Sequence, residues 1–328
     1  MSELPTKADA ARESATDLLG PGEAVLTFDV GGTDTKSALI ARDGRILGLR
    51  RTPTPRSDSD PAGVVIESVT ALAATLRAHY PEEVPAAAGL SVPGLVDEAA
   101  GIARFASNLG WTDVPMHELA QRALALPVAF GHDVRAAGEA EARLGAARGF
   151  EDSIVIAIGT GIAGAIVLGG RPHSAHGYAA ELGHTLADPN GERCPCGARG
   201  CLETIASAGA IARRYRAASG VKVAGAREVL AAAQSGDATA RLIWSEAVTA
   251  IAEHLARLVA TIAPQAIVIG GGLAEAGDAL FVPLGRHLDD LLSFHRRPLL
   301  LKARFGDDAG LLGTALAARD LLAHGGVL

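Results

Sequence analysis

One short pattern occurs twice in the chain. FDVGGTDTKSALI (28–40) and IAIGTGIAGAIVL (156–168) each read as an apolar strand, a glycine turn and a second apolar strand. Runs of β-branched and aliphatic residues closed by Gly-rich turns are hairpin signals. At 328 residues the chain is one large domain or two ordinary ones, and a hairpin that recurs far along it suits two domains with one hairpin each. The surrounding pattern agrees. Strands are predicted at 24–30, 37–41, 45–51, 86–92, 102–106 and 128–130, with helices at 64–79, 116–125 and 134–147. The pattern restarts with strands at 153–158 and 163–168. After a loop over 171–200 the chain reads as helical from 202 almost to 261. Strands at 266–269 and 299–305 and a closing helix at 311–323 complete it. This alternation, with buried parallel-type strands, indicates α/β architecture. Two domains that each carry one glycine hairpin would line a shared cleft with backbone.

Composition excludes several classes. Apolar residues are 48% of the chain and charged residues 20%, enough for a core and wrong for disorder. Aromatics are 4%, so aliphatic side chains must fill that core. The net charge of −7 opposes a general nucleic-acid binder. The most apolar window, 247–263, is interrupted by Glu253, His254 and Arg257, and it reads as an amphipathic core helix rather than a membrane span. The N-terminus has no signal-peptide pattern, and a cytoplasmic protein is expected.

Glycines let backbone N–H groups approach an anion. The first turn adds the Asp29 carboxylate, the Thr33 hydroxyl and the Lys36 ammonium, the groups that a polyphosphate with Mg²⁺ requires. Either hairpin alone could be an ordinary β-turn. The second, Gly159-Thr160-Gly161, and a third cluster at 270–272 favour phosphate chemistry. Neither a Walker A motif nor a dinucleotide fingerprint is present.

All three cysteines fall between 194 and 201. His184, Cys194, Cys196 and Cys201 form H-x9-C-x-C-x4-C on a Gly/Pro loop, which fits a closed tetrahedral structural zinc site. Asp133 follows a short strand and precedes a helix. It reads either as a strand-end acid facing the cleft or as a helix N-cap. Glu181 and Glu203 flank the cysteine loop and read as site or surface carboxylates. Asn108 reads as a turn residue or a ligand contact.

In order, DVGGTDTK, SVPGLVD, SNLGW, HDVRAAGEAE, IAIGTGIAGAIV, ELGH, CPCGARGCLE and IVIGGG resemble the ROK family (repressors, uncharacterised reading frames and sugar kinases), in particular its bacterial glucokinase branch. The resemblance runs from about Val25 to the closing helix. It implies the actin-like, Hsp70-like ATPase (ribonuclease H-like) fold, with two α/β domains around an interdomain cleft. The expected division is a flexible arm at 1–23, an N-terminal lobe at 24–133 plus 309–328, and a C-terminal lobe at 134–308 carrying the zinc loop.

The resemblance also implies roles. Asp29, Gly31, Gly32, Thr33 and Lys36 form the first phosphate loop with Mg²⁺. Gly159, Thr160 and Gly161 form the second, and Gly271 and Gly272 lie near the adenosine. Asp133 is the general base. Asn108, Glu181, His184 and Glu203 bind sugar hydroxyls, and Gly94 lines the same pocket. His184 serves both zinc and sugar, one ring nitrogen for each. The sequence departs from the family at Ala163, where glycine is usual, and at His132. The family commonly has a sugar-binding Asn there, so His132 joins the expected substrate contacts and leaves the acceptor open. The expected reaction is ATP-dependent phosphorylation of a primary hydroxyl, most simply glucose to glucose 6-phosphate. The alternatives are another hexose, an N-acylhexosamine or a C7-cyclitol, and then a non-catalytic sugar-sensing regulator. The segment 1–23 is too short for a helix-turn-helix domain, which ranks the regulator last. The implied partners are ATP with Mg²⁺, a sugar or cyclitol and a second copy of the chain, as homodimer or homotetramer. Nucleic acid and membrane are not expected partners.

Overall fold

The computed structural model describes residues 19–324, so most of the expected arm at 1–23 lies outside the described residues. Two compact units form. The first contains the chain through Ala140, Ser174–Tyr178 and the chain from Asp308 onward. The second contains Glu141–His173 and Ala179–Asp307.

The first unit begins with β1 (Val25–Val30), β2 (Asp34–Ile40), β3 (Ile46–Pro53) and α1 (Pro61–His79). Next come β4 (Ala87–Val92), β5 (Leu95–Asp97), β6 (Ile102–Ala106), β7 (Trp111–Val114) and α2 (Met116–Leu124). β8 (Val128–His132) leads into α3 (Asp133–Arg143). The main sheet has the order β3-β2-β1-β4-β8. β1 pairs antiparallel with β2 and parallel with β4, which pairs parallel with β8. β1 is buried along its whole length because both sheet faces are covered. Leu26, Phe28 and Val30 share a core with Val65, Val69 and Leu76 of α1. Val25, on the opposite face, packs with Ala315, Ala318 and Leu321 of the closing helix (Ala309–Ala323). A Cβ on Gly89 of β4 would strike Thr314 of that helix, so glycine permits the close approach. β5, β6 and β7 form a separate three-stranded sheet, in which the sequence pattern had marked only β6.

The second unit repeats the plan. β9 (Ser153–Ile158), β10 (Ile162–Leu168) and β11 (Arg171–Pro172) are antiparallel, and β12 (Ala266–Gly270) and β13 (Leu299–Lys302) add in parallel. The order is β11-β10-β9-β12-β13, the same as in the first sheet. The helical stretch predicted as nearly continuous from 202 to 261 is four helices. They are α4 (Leu202–Ala206), α5 (Ala208–Ser219), α6 (Ala226–Gln234) and α7 (Ala238–Ile262). Ser207 and Asp237 accept backbone N–H groups at two of the new starts, and Gly220 closes α5 with φ of 73°. α8 (Asp278–Leu291) follows, with Pro283 inside it. The helix predicted over 134–147 stops at Arg143, where the Glu141 carboxylate takes the Ala146 N–H. Among the described residues no helix is long and apolar enough to cross a membrane.

Candidate active site

The first glycine turn sits at the carboxyl end of β1. Asp29, one residue before the end of β1, lies opposite Ser91 of β4, and Ser91 lies opposite Gly131 of β8. Three parallel strands therefore end together, which is where α/β sheets present binding groups. Asp29 is 8% exposed. Ser91 donates to its Oδ1 at 3.0 Å, and Lys36 Nζ lies 3.6 Å from Oδ2. Thr314 donates in turn to Ser91 at 2.8 Å. Burial pushes the Asp29 carboxyl above its usual range, against the pull of Lys36 and Ser91. A divalent cation would offset that burial. The turn itself is strapped from outside. Thr54 Oγ1 donates to Gly31 O at 2.8 Å, Arg56 to Gly32 O at 2.9 Å, and Thr54 N to Thr33 O at 2.8 Å. Thr54 and Arg56 carry no signal in the sequence, since they lie in a Pro/Ser/Asp loop without a motif.

Asn108 is exposed in the turn between β6 and β7. Its side-chain amide lies against Gly32, where a Cβ would collide with it. The expected acceptor contact thus touches the expected phosphate turn. Gly94, with φ of 93°, makes the turn from β4 to β5, and a side chain there would run into Phe105 O.

Asp133 opens α3 directly after β8, and its Oδ1 accepts the Val134 N–H at 2.7 Å. His132 Nε2 lies 3.3 Å from the same oxygen. His132 is 6% exposed, and its Nδ1 accepts the Arg135 N–H at 3.2 Å. Burial, reinforced by the Arg135 charge, pushes its pKa down to about 3. The ring expected among the sugar contacts is thus buried between the Asp133 carboxylate and the Arg135 backbone. Arg135 is itself buried. Its Nε donates to Glu98 at 3.0 Å and its Nη2 to Val96 O at 2.7 Å, while Glu98 also accepts the His132 N–H.

In the second unit, Gly159, Thr160 and Gly161 connect β9 and β10, and Gly159 N donates to Gly161 O at 2.9 Å. Glu203, in the first turn of α4, accepts the Ile162 N–H at 2.7 Å and packs so closely on Gly161 that a Cβ there would meet its Oε2. A carboxylate proposed from the sequence to touch sugar thus also caps the second turn. Glu181 is exposed and follows Ala180, which has the left-handed φ of 69°.

The cysteine loop is a compact knuckle. Cys194 N donates to Ala198 O at 2.8 Å, and Gly197 N donates to Cys194 O at 3.0 Å. Gly200, with φ of 72°, passes against Asp188 O where no Cβ fits. The ligand atoms of His184, Cys194, Cys196 and Cys201 all lie within 4.8 Å of one another. His184 Nδ1 is 3.6 Å from Cys194 Sγ, and Cys196 Sγ is 3.7 Å from Cys201 Sγ. A tetrahedron with metal–sulfur bonds of about 2.3 Å and metal–nitrogen bonds of about 2.0–2.1 Å has edges of roughly 3.6–3.8 Å. The donor set therefore fits one metal ion, with Nδ1 as the histidine ligand.

Gly271 and Gly272 follow β12. Gly271 has φ of 75° and lies against the Ile158 backbone, where a side chain is excluded. A cavity of about 350 Å³ opens beside them, lined also by Glu275, Lys302, Gly306 and Asp307.

Residues 25–321 match the ROK family. The chain belongs to the ROK family. It is similar to a glucokinase of Thermotoga maritima, 33% identical over 90% of this chain and 97% of that one. It is also similar to an N-acetylmannosamine kinase of Shigella flexneri, 34% identical over 90% of this chain and 98% of that one. Among solved structures, a ROK family glucokinase from Streptomyces griseus in complex with glucose and AMPPNP is 28% identical, with a TM-score of 0.76, covering 90% of this chain and 99% of that one. The paired sheets are those of the actin-like ATPase fold, built as two α/β domains.

Proposed function

We propose that this ATP-dependent sugar kinase of the ROK family phosphorylates a primary hydroxyl of glucose, with Asp133 as general base. One observation carries the reading: Asn108 lies against Gly32, so an acceptor-binding amide adjoins a phosphate turn. Asp133, beyond the neighbouring parallel strand end, is the acid on that edge suited to take the proton. In the reaction the acceptor oxygen bonds to the γ-phosphorus, the bond to the bridging oxygen of ADP breaks, and the hydroxyl proton passes to the Asp133 carboxylate. Asp29, Lys36 and the N–H groups of both turns hold the Mg²⁺-bound polyphosphate, and Gly271 and Gly272 border the adenosine. Glu181, His184 and Glu203 take further sugar hydroxyls. His184 Nδ1 and the three thiolates would hold a structural Zn²⁺, which would leave Nε2 for the sugar and fix the orientation of the ring.

Release of ADP, measured across glucose, mannose, N-acetylmannosamine and a C7-cyclitol, tests the acceptor. Glucose should give the highest kcat/KM. The similarity to an N-acetylmannosamine kinase favours that sugar as the second reading. No turnover with any acceptor would refute the kinase reading. Asp133→Asn should lower kcat by about 100- to 10,000-fold. For the metal, elemental analysis should find about one zinc per chain, and Cys196→Ser should lose it and melt earlier.

A further inference from the structure

His132 has a fixed tautomer. The Arg135 backbone N–H points at Nδ1, so Nδ1 must be the ring's acceptor and the ring proton must sit on Nε2. That nitrogen lies 3.3 Å from Asp133 Oδ1, which also accepts the Val134 N–H. That separation is within hydrogen-bond reach, and a rotation of either side chain would align the N–H with the oxygen.

We infer that His132 is a positioning residue that donates Nε2–H to Asp133 Oδ1 and aims the carboxylate at the acceptor hydroxyl. This rests on the reading of Asp133 as the base. Two donors on one carboxylate oxygen fix the plane of the group, so its basic lone pairs point one way before the acceptor arrives. The ring is itself held on a rigid base. The His132 N–H donates to Glu98 Oε1, and the buried Arg135 guanidinium bridges Glu98 and the Val96 carbonyl. These two charges and Asp133 are the ionisable groups that the described contacts bring to the ring. Burial keeps the ring neutral, so it can donate one proton without adding a charge.

The test uses the full chain with glucose and ATP·Mg²⁺. His132→Met removes the donor with an adaptable apolar side chain, and His132→Gln returns a terminal amide N–H at about the reach of Nε2. The Met variant should lose on the order of 10- to 100-fold in kcat, while its calorimetric Kd for glucose stays within about twofold. The Gln variant should recover kcat to within about threefold of the parent. In an Asp133→Asn background, His132→Met should cost almost nothing further, because a residue that acts through Asp133 has nothing left to position. The inference is overturned by a Met variant with parental kcat, by a glucose Kd raised tenfold at constant kcat, or by additive losses in the double variant. If the Met variant gives no cooperative melt, the Gln variant decides alone. Parental glucose affinity with kcat within threefold supports the donor role, and a larger loss of kcat or a weakened Kd overturns it. Failure of the base reading is seen separately, as near-normal activity of Asp133→Asn by itself.

Discussion

The two glycine hairpins share a sheet order and differ in their chemistry. The first sets a buried carboxylate and a lysine beside its turn, Asp29 and Lys36 being directly paired across β1 and β2. At the corresponding place across β9 and β10 stand Ala157 and Ala163. The second hairpin has no charge of its own, and its carboxylate, Glu203, is borrowed from the end of the cysteine loop. The loops also differ in length: Val30 pairs with Thr35, whereas Ile158 pairs with Ile162, one residue closer. A shared backbone plan thus carries one turn with its own charges and one neutral turn whose carboxylate comes from another segment. Each turn needs a glycine for the same reason, the close approach of a side chain, Asn108 in one and Glu203 in the other.

Asp29→Asn should break this asymmetry most severely. We expect kcat to fall by at least about 100-fold, the order of one lost electrostatic contact to the transferring group. The same variant should melt at a higher temperature at neutral pH. The folded-state pKa of Asp29 is raised by burial, so the native protein holds that proton to higher pH than the unfolded chain. The contribution of Asp29 is favourable below the ordinary value of 3.8 and is lost as pH rises through the folded value. A Tm that drops at neutral pH would contradict this. Next in size is Gly161→Ala. The added methyl displaces Glu203 from the Ile162 N–H, and leaving that group unpaired should cost about 1–3 kcal/mol in denaturant unfolding. Gly32→Ala should be milder for stability, within about 0.5 kcal/mol, because exposed Asn108 can swing away. Its effect should appear as a sugar KM raised several-fold. Equal stability losses at Gly32 and Gly161 would erase the distinction between a movable ligand contact and a fixed cap. The smallest change is Ala180→Gly, which relieves the left-handed φ of 69°, a strain of about 1–2 kcal/mol, against about 0.4–1 kcal/mol of added freedom in the unfolded chain, so it should stabilise by about 0.5 kcal/mol.

pH separates the same two regions. In the second unit, burial and the Arg257 charge push His254 down to about 4 from its ordinary 6.5. The native state therefore binds fewer protons there, and stability present above pH 6.5 is lost as pH falls toward 4. His254→Gln should flatten that limb of a Tm-against-pH curve.

Much of the site is legible in the sequence because its chemistry is local. The turn glycines, Asp29 at a strand end, Asp133 between strand and helix, and the cysteine spacing each lie within a few residues of the structure that presents them. What differs from the sequence pattern has two causes: caps hidden under a continuing apolar spacing, and strands that exist only through pairing. The stretch 202–261 looks like one helix because its apolar spacing continues through it, whereas Ser207, Gly220 and Asp237 divide it. β5 and β7 are too short to show a period and exist through pairing with β6. Thr54, Arg56, Ser91, Thr314, Glu98 and Arg135 carry no motif, and they support the site because the sheet brings them beside it.

By itself the sequence determined two α/β repeats, their glycine turns and a four-ligand cysteine loop, because strand period, turn chemistry and ligand spacing are written in neighbouring residues. The tertiary structure alone decided that Asp29 is buried between Lys36 and a Ser91–Thr314 chain, that Glu203 caps a turn, and that His132 faces Asp133. Those outcomes follow from strand register, from the packing of segments distant in sequence and from which side chains the core excludes from water, none of which the local pattern displays.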